Sequence, residues 1–460
     1  MSTPARSLPE QGKFVTGSLM RHVATMALSG ALGLSFTFLV DFLALWWISQ
    51  LRDEAMIAAV GIAGTLQFAV MSIAIGMMIG TVAMVSRAIG MGERPRARRI
   101  ATVGLVLMVA VQAAVSLLIW TFRTPVLIAS GAEGEVLDLA ARFLAITLPS
   151  MPFIAVGIAT SAILRAVGDA WRSMAVTMVA GGAAVFLDPL LIYVLGWGVP
   201  GAAVSIVAAR GVMMVVGLWF TVRTHDMLAR PAAEDVQTFL KPYLGIALPA
   251  IATQLSTPFG NWILTREIAS FGESAVAGWG VVMRLTILAF GGIFALSGAI
   301  GGIIGQNYGA RRPDRVAEAY FAALKFCAAY TAVTWALMAL MTGPIISSFG
   351  LTEDGAAVVR TFTHYAAGTF VFTGALFVAN AAFNNLGRPM RSTLANWFRD
   401  GVLMFPLGAA MATSFGAIGV IWANAAANVI AGALAAWLGW RYVRGLARAA
   451  GPLDVPRSAD

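Results

Sequence analysis

The sequence predicts an all-α membrane protein with twelve transmembrane helices, arranged as two parallel six-helix repeats around a central cleft. The first observation is composition, because 59% of the 460 residues are hydrophobic and only 12% are charged. A soluble globular chain has about 25% charged and 45–50% apolar residues. The mean hydropathy of +0.81 points the same way. A soluble core cannot enclose this much apolar surface, so lipid must solvate much of it.

The second observation is the number of apolar runs. A transmembrane helix needs about 20 predominantly apolar residues, and the chain has twelve runs of suitable length. None of them shows the polar–apolar alternation of a transmembrane β-strand. The runs are Met20–Ile48, Ala55–Val85, Ile100–Trp120, Leu139–Leu164, Ser173–Leu195, Gly201–Phe220, Tyr243–Phe271, Ala275–Ile304, Val316–Met341, Phe362–Phe383, Ser392–Thr413 and Ala417–Trp440.

The third observation is that basic residues are concentrated in alternate connections between these runs. Cytoplasmic loops of membrane proteins carry an excess of Lys and Arg, so the pattern predicts that both termini are cytoplasmic. It also explains the net charge of +9 without nucleic acid, since no basic stripe is interleaved with exposed aromatic residues. The basic residues of these connections are Arg87, Arg94, Arg96, Arg98, Arg99, Arg165, Arg172, Arg223, Arg230, Lys241, Arg311, Arg312, Arg315, Arg388, Arg391, Arg441, Arg444 and Arg448.

The two halves of the chain resemble each other at three separated places. Gly92–Arg96 is similar to Gly309–Pro313, Gly168–Ser173 to Gly387–Ser392, and Gly198–Gly201 to Gly416–Gly419. The offsets agree within about two residues, which indicates an internal repeat of six spans. We therefore expect a first lobe over residues 1–220, a cytoplasmic linker over 221–240 and a second lobe over 241–460. Parallel repeats of this kind favour two lobes that rock against each other.

Two acidic residues lie well inside apolar runs of the first lobe. Asp41 is in the first run and Asp188 is in the fifth, directly before Pro189. A charge in the bilayer is costly and usually functional, and burial raises the pKa of a carboxyl group. We expect these acids to couple transport to a proton or a monovalent cation, and Pro189 to bend the fifth helix. The alternative is that each Asp only satisfies neighbouring polar groups.

Other polar residues within the runs are candidates for a substrate cavity, with interhelical hydrogen bonding as the alternative. With Asp41 and Asp188 as the acids and no bases beside them, we expect negative potential in the cleft. Arg399 and Asp400, adjacent on the eleventh run, are interpreted as a structural pair. The cavity candidates are Gln67, Gln254, Asn261, Arg284 and Asn380.

The sequence lacks the motifs of several other classes of protein. It contains no phosphate-binding loop for ATP hydrolysis, no His-Glu-x-x-His zinc motif and no nucleophile elbow. Cys327 is the only cysteine, so neither a disulfide framework nor a cysteine-based metal site is expected. We therefore expect a transporter driven by an ion gradient, or a passive one, rather than an enzyme, with neither a cofactor nor a metal.

Five short motifs are spread along the chain: Ser86–Gly90 (SRAIG), Leu164–Asp169 (LRAVGD), Leu187–Ile192 (LDPLLI), Gly198–Ala203 (GVPGAA) and Gly305–Ala310 (GQNYGA). Together they resemble the multidrug and toxic compound extrusion (MATE) transporters, with that family's spacing from the first helix to the last. The resemblance implies two six-helix bundles around a V-shaped cleft, and it favours the DinF-like proton-coupled branch. In that branch the first-helix acid is the proposed proton site, which corresponds to Asp41, and Asp188 belongs to the same network.

The resemblance implies an inner-membrane antiporter, expected to be a monomer, that exports amphipathic organic cations in exchange for protons. The sequence departs from the family at Ala184 and Ile206, where polar residues are usual near the acids. The positions of a second-lobe sodium site correspond to Thr257 and Ala375, which argues against such a site. There are three alternatives. They are a sodium-coupled drug antiporter, a lipid-linked oligosaccharide flippase of related fold, and a membrane-embedded enzyme.

Overall fold

The computed structural model describes residues 12–49 and 54–449. Within these ranges the side chains of Asp41, Leu45, Ser49 and Glu54 lie outside the described part. The described residues form eighteen α-helices joined by short 3-10 and π segments, without a β-strand. The prediction of an all-α protein is therefore confirmed.

Eight helices belong to the first lobe. They are long where a span is continuous and short where a span is interrupted. Their bounds are α1 Leu19–Ser49, α2 Glu54–Gly90, α3 Arg94–Thr121, α4 Arg123–Ala129, α5 Gly134–Thr147, α6 Met151–Val167, α7 Ala170–Pro189 and α8 Gly198–Trp219.

Ten helices belong to the second lobe, which begins after the linker. Their bounds are α9 Ala233–Ala269, α10 Glu273–Ala289, α11 Gly291–Gly309, α12 Pro313–Leu340, α13 Thr342–Ser348, α14 Glu353–His364, α15 Phe370–Asn385, α16 Pro389–Trp397, α17 Met404–Phe415 and α18 Ala417–Ala449.

The twelve predicted apolar runs all fall on helices, but several runs are not single straight helices. By length and composition, nine stretches of the described chain are able to cross a membrane, or ten if α10 and α11, which are bent by 45°, form one span. The seventh run, on α9, contains the polar residues Gln254 and Asn261. The eleventh run is interrupted by a π segment, Phe398–Leu403, that carries buried Arg399 and Asp400.

The interruptions occur in matching places in the two halves. A 3-10 turn, Leu148–Ser150, separates α5 from α6, and another, Ala366–Thr369, separates α14 from α15. Helix α3 begins at Arg94 and α12 begins at Pro313, 219 positions later, and both helices have 28 residues. Each is followed by a seven-residue helix, α4 or α13. The two parallel repeats are thus visible in the order and length of the helices.

The lobes meet at the end of the molecule that carries the arginine-rich connections, which we call the closed end. Helix α2 packs against α9 and α11, and α1 packs against α11. The Tyr243 hydroxyl donates to the carbonyl of Met77 at 2.9 Å. Arg87 Nε, on α2, donates to the carbonyl of Asn385 at 3.0 Å, at the end of α15. The described hydrogen bonds between α1–α8 and α9–α18 all lie near this end, from which the two arms of the V diverge.

A short 3-10 turn before α1, Lys13–Val15, is inserted between the lobes at the closed end. Phe14 is 1% exposed, and its backbone N–H donates to Gln306 Oε1 at 2.9 Å. Its carbonyl accepts hydrogen bonds from Asn307 Nδ2 and Arg315 Nη2, both at 3.1 Å. A segment with few apolar residues is held in place here by hydrogen bonds to α11 and α12.

Candidate functional site

The two predicted acids lie on neighbouring helices of the first lobe. Asp41 is in the C-terminal part of α1, and its side chain lies outside the described residues. Asp188 is on α7 and is 3% exposed. Helices α1 and α7 pack closely, because a Cβ at Gly181 would lie 3.1 Å from Val40. With a rise of 1.5 Å per residue, Asp188 is then roughly 7–10 Å further along the helix axes than Asp41.

Asp188 has no ion-pair partner among the described side chains. The Ser205 hydroxyl on α8, which is fully buried, interacts with this carboxylate without reaching hydrogen-bond geometry. Pro189 ends α7, and the chain continues as a π segment, Leu190–Val194. Pro189 thus stands where the helix changes its winding, as expected when a backbone N–H is missing.

Gln67, a predicted cavity residue, is 8% exposed and binds a part-buried guanidinium. Its Oε1 accepts a hydrogen bond from Arg210 Nη2, on α8. Arg210 Nη1 donates to the Thr147 carbonyl at 2.9 Å and to Ser150 Oγ at 2.8 Å. The break between α5 and α6 supplies these acceptors, since helix termini leave carbonyls without intrahelical partners. Gln67 therefore orients a cation that is held by neutral groups alone.

The four other predicted cavity residues are in the second lobe. Gln254 and Asn261 on α9 are part-buried, and Arg284 on α10 is exposed. Asn380 on α15 is 6% exposed, its backbone carbonyl accepts from Ser392 Oγ at 3.1 Å, and its side-chain Oδ1 has no partner. Only the backbone of Asn380 thus joins another helix, and its side chain remains a cavity candidate with the other three.

The second lobe contains a buried ion pair. Arg399 Nε and Asp400 Oδ1 are 2.7 Å apart, with side chains 6% and 3% exposed. Ser256 Oγ on α9 donates to Asp400 Oδ2 at 2.8 Å. A Cβ at Gly260 would lie 2.9 Å from Asp400 Oδ1, and Gly260 is the repeat counterpart of Asp41, 219 positions later. The second lobe therefore places a carboxylate beside the position equivalent to Asp41, but from another helix and with a fixed counterion.

Arg165, predicted to stand with Arg172 on either side of the turn after the fourth run, lies in the last turn of α6 and is part-buried. Its Nη2 lies 2.6 Å from Met78 Sδ, and its Nη1 donates to Ser173 Oγ at 3.3 Å. Its Nε is buried without a partner. Arg165 contacts Ser173, which is fifteen residues before Asp188 in the chain, so it is not a base beside the predicted acids. The motif Leu164–Asp169 did not predict that Nε of Arg165 is buried.

The described residues contain no group of three His, Cys, Asp or Glu side chains that is suited to a metal ion. The described interior instead holds separate polar side chains, with Gln67 and Asp188 buried in the first lobe and Asn380 and the Arg399–Asp400 pair buried in the second. Such an arrangement suits the binding of a small molecule and the uptake or release of a small cation.

Comparisons with known proteins agree with this architecture. A sequence profile of the MatE family matches residues 31–190 and 249–410. The chain is 26% identical to the FAD transporter of Shewanella oneidensis over 428 residues, which are 92% of this chain and 94% of the relative. It is 22% identical to the multidrug export protein MepA of Staphylococcus aureus over 433 residues, again 92% and 94% of the two chains.

A solved structure has the same fold. It is an outward-facing conformation of a multidrug resistance MATE family transporter of the MOP superfamily, with a TM-score of 0.87 and 22% identity over 94% of this chain and 98% of the other. This likeness supports the twelve-helix arrangement in two repeats. The profile covers both halves of the chain. The protein is therefore a multi-pass membrane protein that handles small organic substrates and ions, and it is a transporter rather than an enzyme. It belongs to the MatE family.

Proposed function

We propose that this transporter is a secondary active exporter that moves amphipathic organic cations out of the cell in exchange for protons, with Asp41 and Asp188 as the coupling acids. The observation that supports the proposal is the environment of Asp188. This carboxylate is 3% exposed and is outside the ion pairs of the described residues. An ionised carboxylate in such a place is costly, so gaining or losing a proton changes the energy of the first lobe.

The second lobe makes the contrast clear. Asp400 is as deeply buried as Asp188 but is held by Arg399 and Ser256. Its protonation would leave the Arg399 charge without a partner, which is unfavourable. We therefore assign proton coupling to the first lobe. In the second lobe the Arg399–Asp400 ion pair keeps both of its charges, which cancel each other.

The cycle follows from these charges. In the state that is open to the outside, a proton neutralises Asp41, the bound cation loses its attraction and leaves. The neutral lobe then repacks, and the protein opens to the inside, where the proton dissociates and a new cation binds. The two lobes, residues 1–220 and 241–460, move about the linker at 221–240.

The proposed setting follows from the charge of the connections. The arginine-rich closed end faces the cytoplasm, together with both termini, in the inner membrane of a bacterial cell. The transporter works as a monomer and without a cofactor. The closed end then shuts the cytoplasmic side, so the structure corresponds to the outward-open state.

The test is transport in proteoliposomes that contain the purified protein, under a proton gradient or a sodium gradient applied separately. Ethidium is a suitable fluorescent cationic probe. We expect ethidium movement only when the proton gradient is present. Movement driven by sodium alone would reassign the coupling ion. Absence of ethidium movement, together with movement of a fluorescent pyrophosphate-linked lipid between leaflets, would instead identify a flippase.

A further inference from the structure

Arg165 is a part-buried cation whose hydrogen-bonding capacity is largely unused. A guanidinium is always charged and has five N–H donors. The groups that face Arg165 are the Met78 thioether at 2.6 Å and the Ser173 hydroxyl at 3.3 Å, both uncharged, and the thioether is a weak acceptor. Nε has no partner, and Arg165 takes part in none of the ion pairs found among the described residues. A buried charge with so few acceptors is costly unless a counterion arrives.

Arg165 lies where the two lobes meet, and part of its surface is exposed. Its side chain reaches α11, where a Cβ at Gly298 would lie 3.6 Å from Arg165 Nε. Helix α11 packs against α1, α2 and α6 of the first lobe, and its Ser297 and Gly298 are part-exposed. Arg165 therefore lies at the floor of the cleft, where the lobes come together.

The charges of the first lobe are separated along the cleft. Arg165 is level with Ser173 on α7, and Asp188 is fifteen residues further along the same helix, about 22 Å away at 1.5 Å per residue. Arg210, a part-buried cation of this lobe, is also held by neutral acceptors only. It binds Ser150, fifteen residues before Arg165 in the chain and about 22 Å from it along α6, so it does not belong to the floor. Arg165 therefore supplies the positive charge at the floor of the cleft, and the acids lie toward its mouth.

We propose that the floor of the cleft binds an anionic group, a carboxylate or a phosphate, of an amphipathic substrate, with Arg165 as the binding residue. The planar guanidinium fork matches two oxygens of either group. The Nη1 and Nη2 groups, which bind only a hydroxyl and a thioether, are the groups that receive these oxygens, and Gly298 lies beside the guanidinium without a side chain. The inference rests on the proposed function only in taking the cleft as the transport path. It extends the substrates from cations to zwitterions and anions.

The experiment compares matched ligands that differ by one anionic group. Riboflavin and flavin mononucleotide share a ring and differ by a phosphate, and dansylamide and dansylglycine differ by a carboxylate. Binding of each is measured by fluorescence to the protein in nanodiscs. We expect the wild type to bind at least one of the two anionic ligands about tenfold more tightly than its partner, the effect of a charge-assisted hydrogen bond. The pair that shows the difference identifies phosphate or carboxylate as the preferred group.

Substitutions at and near Arg165 test whether this residue causes the preference for the anionic ligand. Arg165→Met should remove the preference, Arg165→Lys should keep part of it, and Arg360→Met, which changes an exposed arginine on α14, should leave it intact. Gly298→Leu fills the space beside Nε and should reduce the preference without removing the charge, which keeps the test valid if Arg165→Met fails to fold. Equal binding within both ligand pairs by the wild type, or an unchanged preference in Arg165→Met and Gly298→Leu, would overturn the proposal.

Ethidium transport by the same preparations separates this inference from the proposed function. Ethidium movement that persists in Arg165→Met while the anion preference is lost supports both. A wild type that prefers the anionic ligands but moves no ethidium under a proton gradient supports the anion site and contradicts cation export.

Discussion

Gly90 and Gly309 occupy equivalent positions in the two repeats, and each closes on a carbonyl oxygen of the opposite lobe. A Cβ at Gly90 would overlap the Gln306 oxygen, and a Cβ at Gly309 would overlap the Arg87 oxygen. Gln306 is itself the counterpart of Arg87, 219 positions later. The closed end is therefore sealed by a pair of backbone contacts related by the internal repeat, and both contacts require the absence of a side chain.

We expect Gly90→Ala and Gly309→Ala to destabilise closure at this end. Overpacking costs about 1–3 kcal/mol, which shifts a two-state population by roughly 5–150-fold. Spin labels at positions 96 and 312 on a Cys327→Ser background should show a longer distance in each variant. Gly64→Ala is the control, because a Cβ at Gly64 of α2 has nothing within 4 Å. Unchanged distances in both variants would mean that the contacts are not needed for closure.

Asp41→Asn imitates the protonated carboxyl permanently. We expect this variant to insert normally but to lose gradient-driven ethidium export, because the charge that alternates in the proposed cycle is gone. A buried charge costs about 2.5–3.5 kcal/mol on insertion scales, enough to bias two states roughly a hundredfold. Asp188→Asn should keep partial transport with a shifted pH optimum. Wild-type rates and pH profile in Asp41→Asn, at matched protein amounts, would show that the coupling site lies elsewhere.

Removal of one member of the Arg399–Asp400 pair should destabilise the second lobe strongly. Asp400→Leu leaves the Arg399 charge uncompensated, and breaking a buried pair costs about 3–5 kcal/mol. The double variant Arg399→Leu/Asp400→Leu should recover much of this loss, because it removes both charges. Thermal unfolding in detergent measures the difference. A double variant that is less stable than Asp400→Leu would indicate that the pair contributes through a further partner.

The connection between α6 and α7 carries a pH-dependent contact with the linker. Asp169 Oδ2 is 2.8 Å from His225 Nε2, and Arg172 Nη1 also donates to it. Burial opposes ionisation of Asp169, but the hydrogen bonds from His225 and Arg172 and the charge of Arg172 lower its pKa well below the usual value. The stabilisation is therefore complete above the unfolded-state pKa of about 3.9 and is lost as pH falls through the folded-state value.

Asp169→Asn should consequently lower stability at pH 7. It should also speed amide exchange around His225. The difference between the variant and the wild type should stay constant down to about pH 4 and shrink only in stronger acid. A difference that disappears between pH 7 and pH 5 would assign the stabilisation to another group.

The orientation in the membrane is testable with single cysteines on the Cys327→Ser background. Cysteines at positions 96, 230, 312 and 388 should react with an impermeant reagent only after the inner membrane is opened. A cysteine at Ser130, in the exposed turn after α4, should react in intact cells. Reaction at position 96 from outside would reverse the proposed topology.

The sequence predicted the spans well where the physical signal was local. Apolar length and loop charge act through lipid and water, so they were readable without knowledge of packing. The internal breaks were not predicted. The turn at Leu148–Ser150 and the π segment at Phe398–Leu403 lie inside apolar runs, and at the first of these breaks Arg210 of α8 binds the Thr147 carbonyl and the Ser150 hydroxyl.

For the charged residues, too, some features were readable from the sequence and others depend on packing. The sequence by itself determined the class of protein, the repeat and the placement of Asp188 inside an apolar helix, because each depends on the order of residue types along one segment. Only the tertiary structure decided that Arg165 lies at the floor of the cleft, that Gln67 holds Arg210, and that Asp400 stands beside Gly260. Those relationships join helices far apart in the chain, and the energy of a buried charge depends on the partners that packing brings to it.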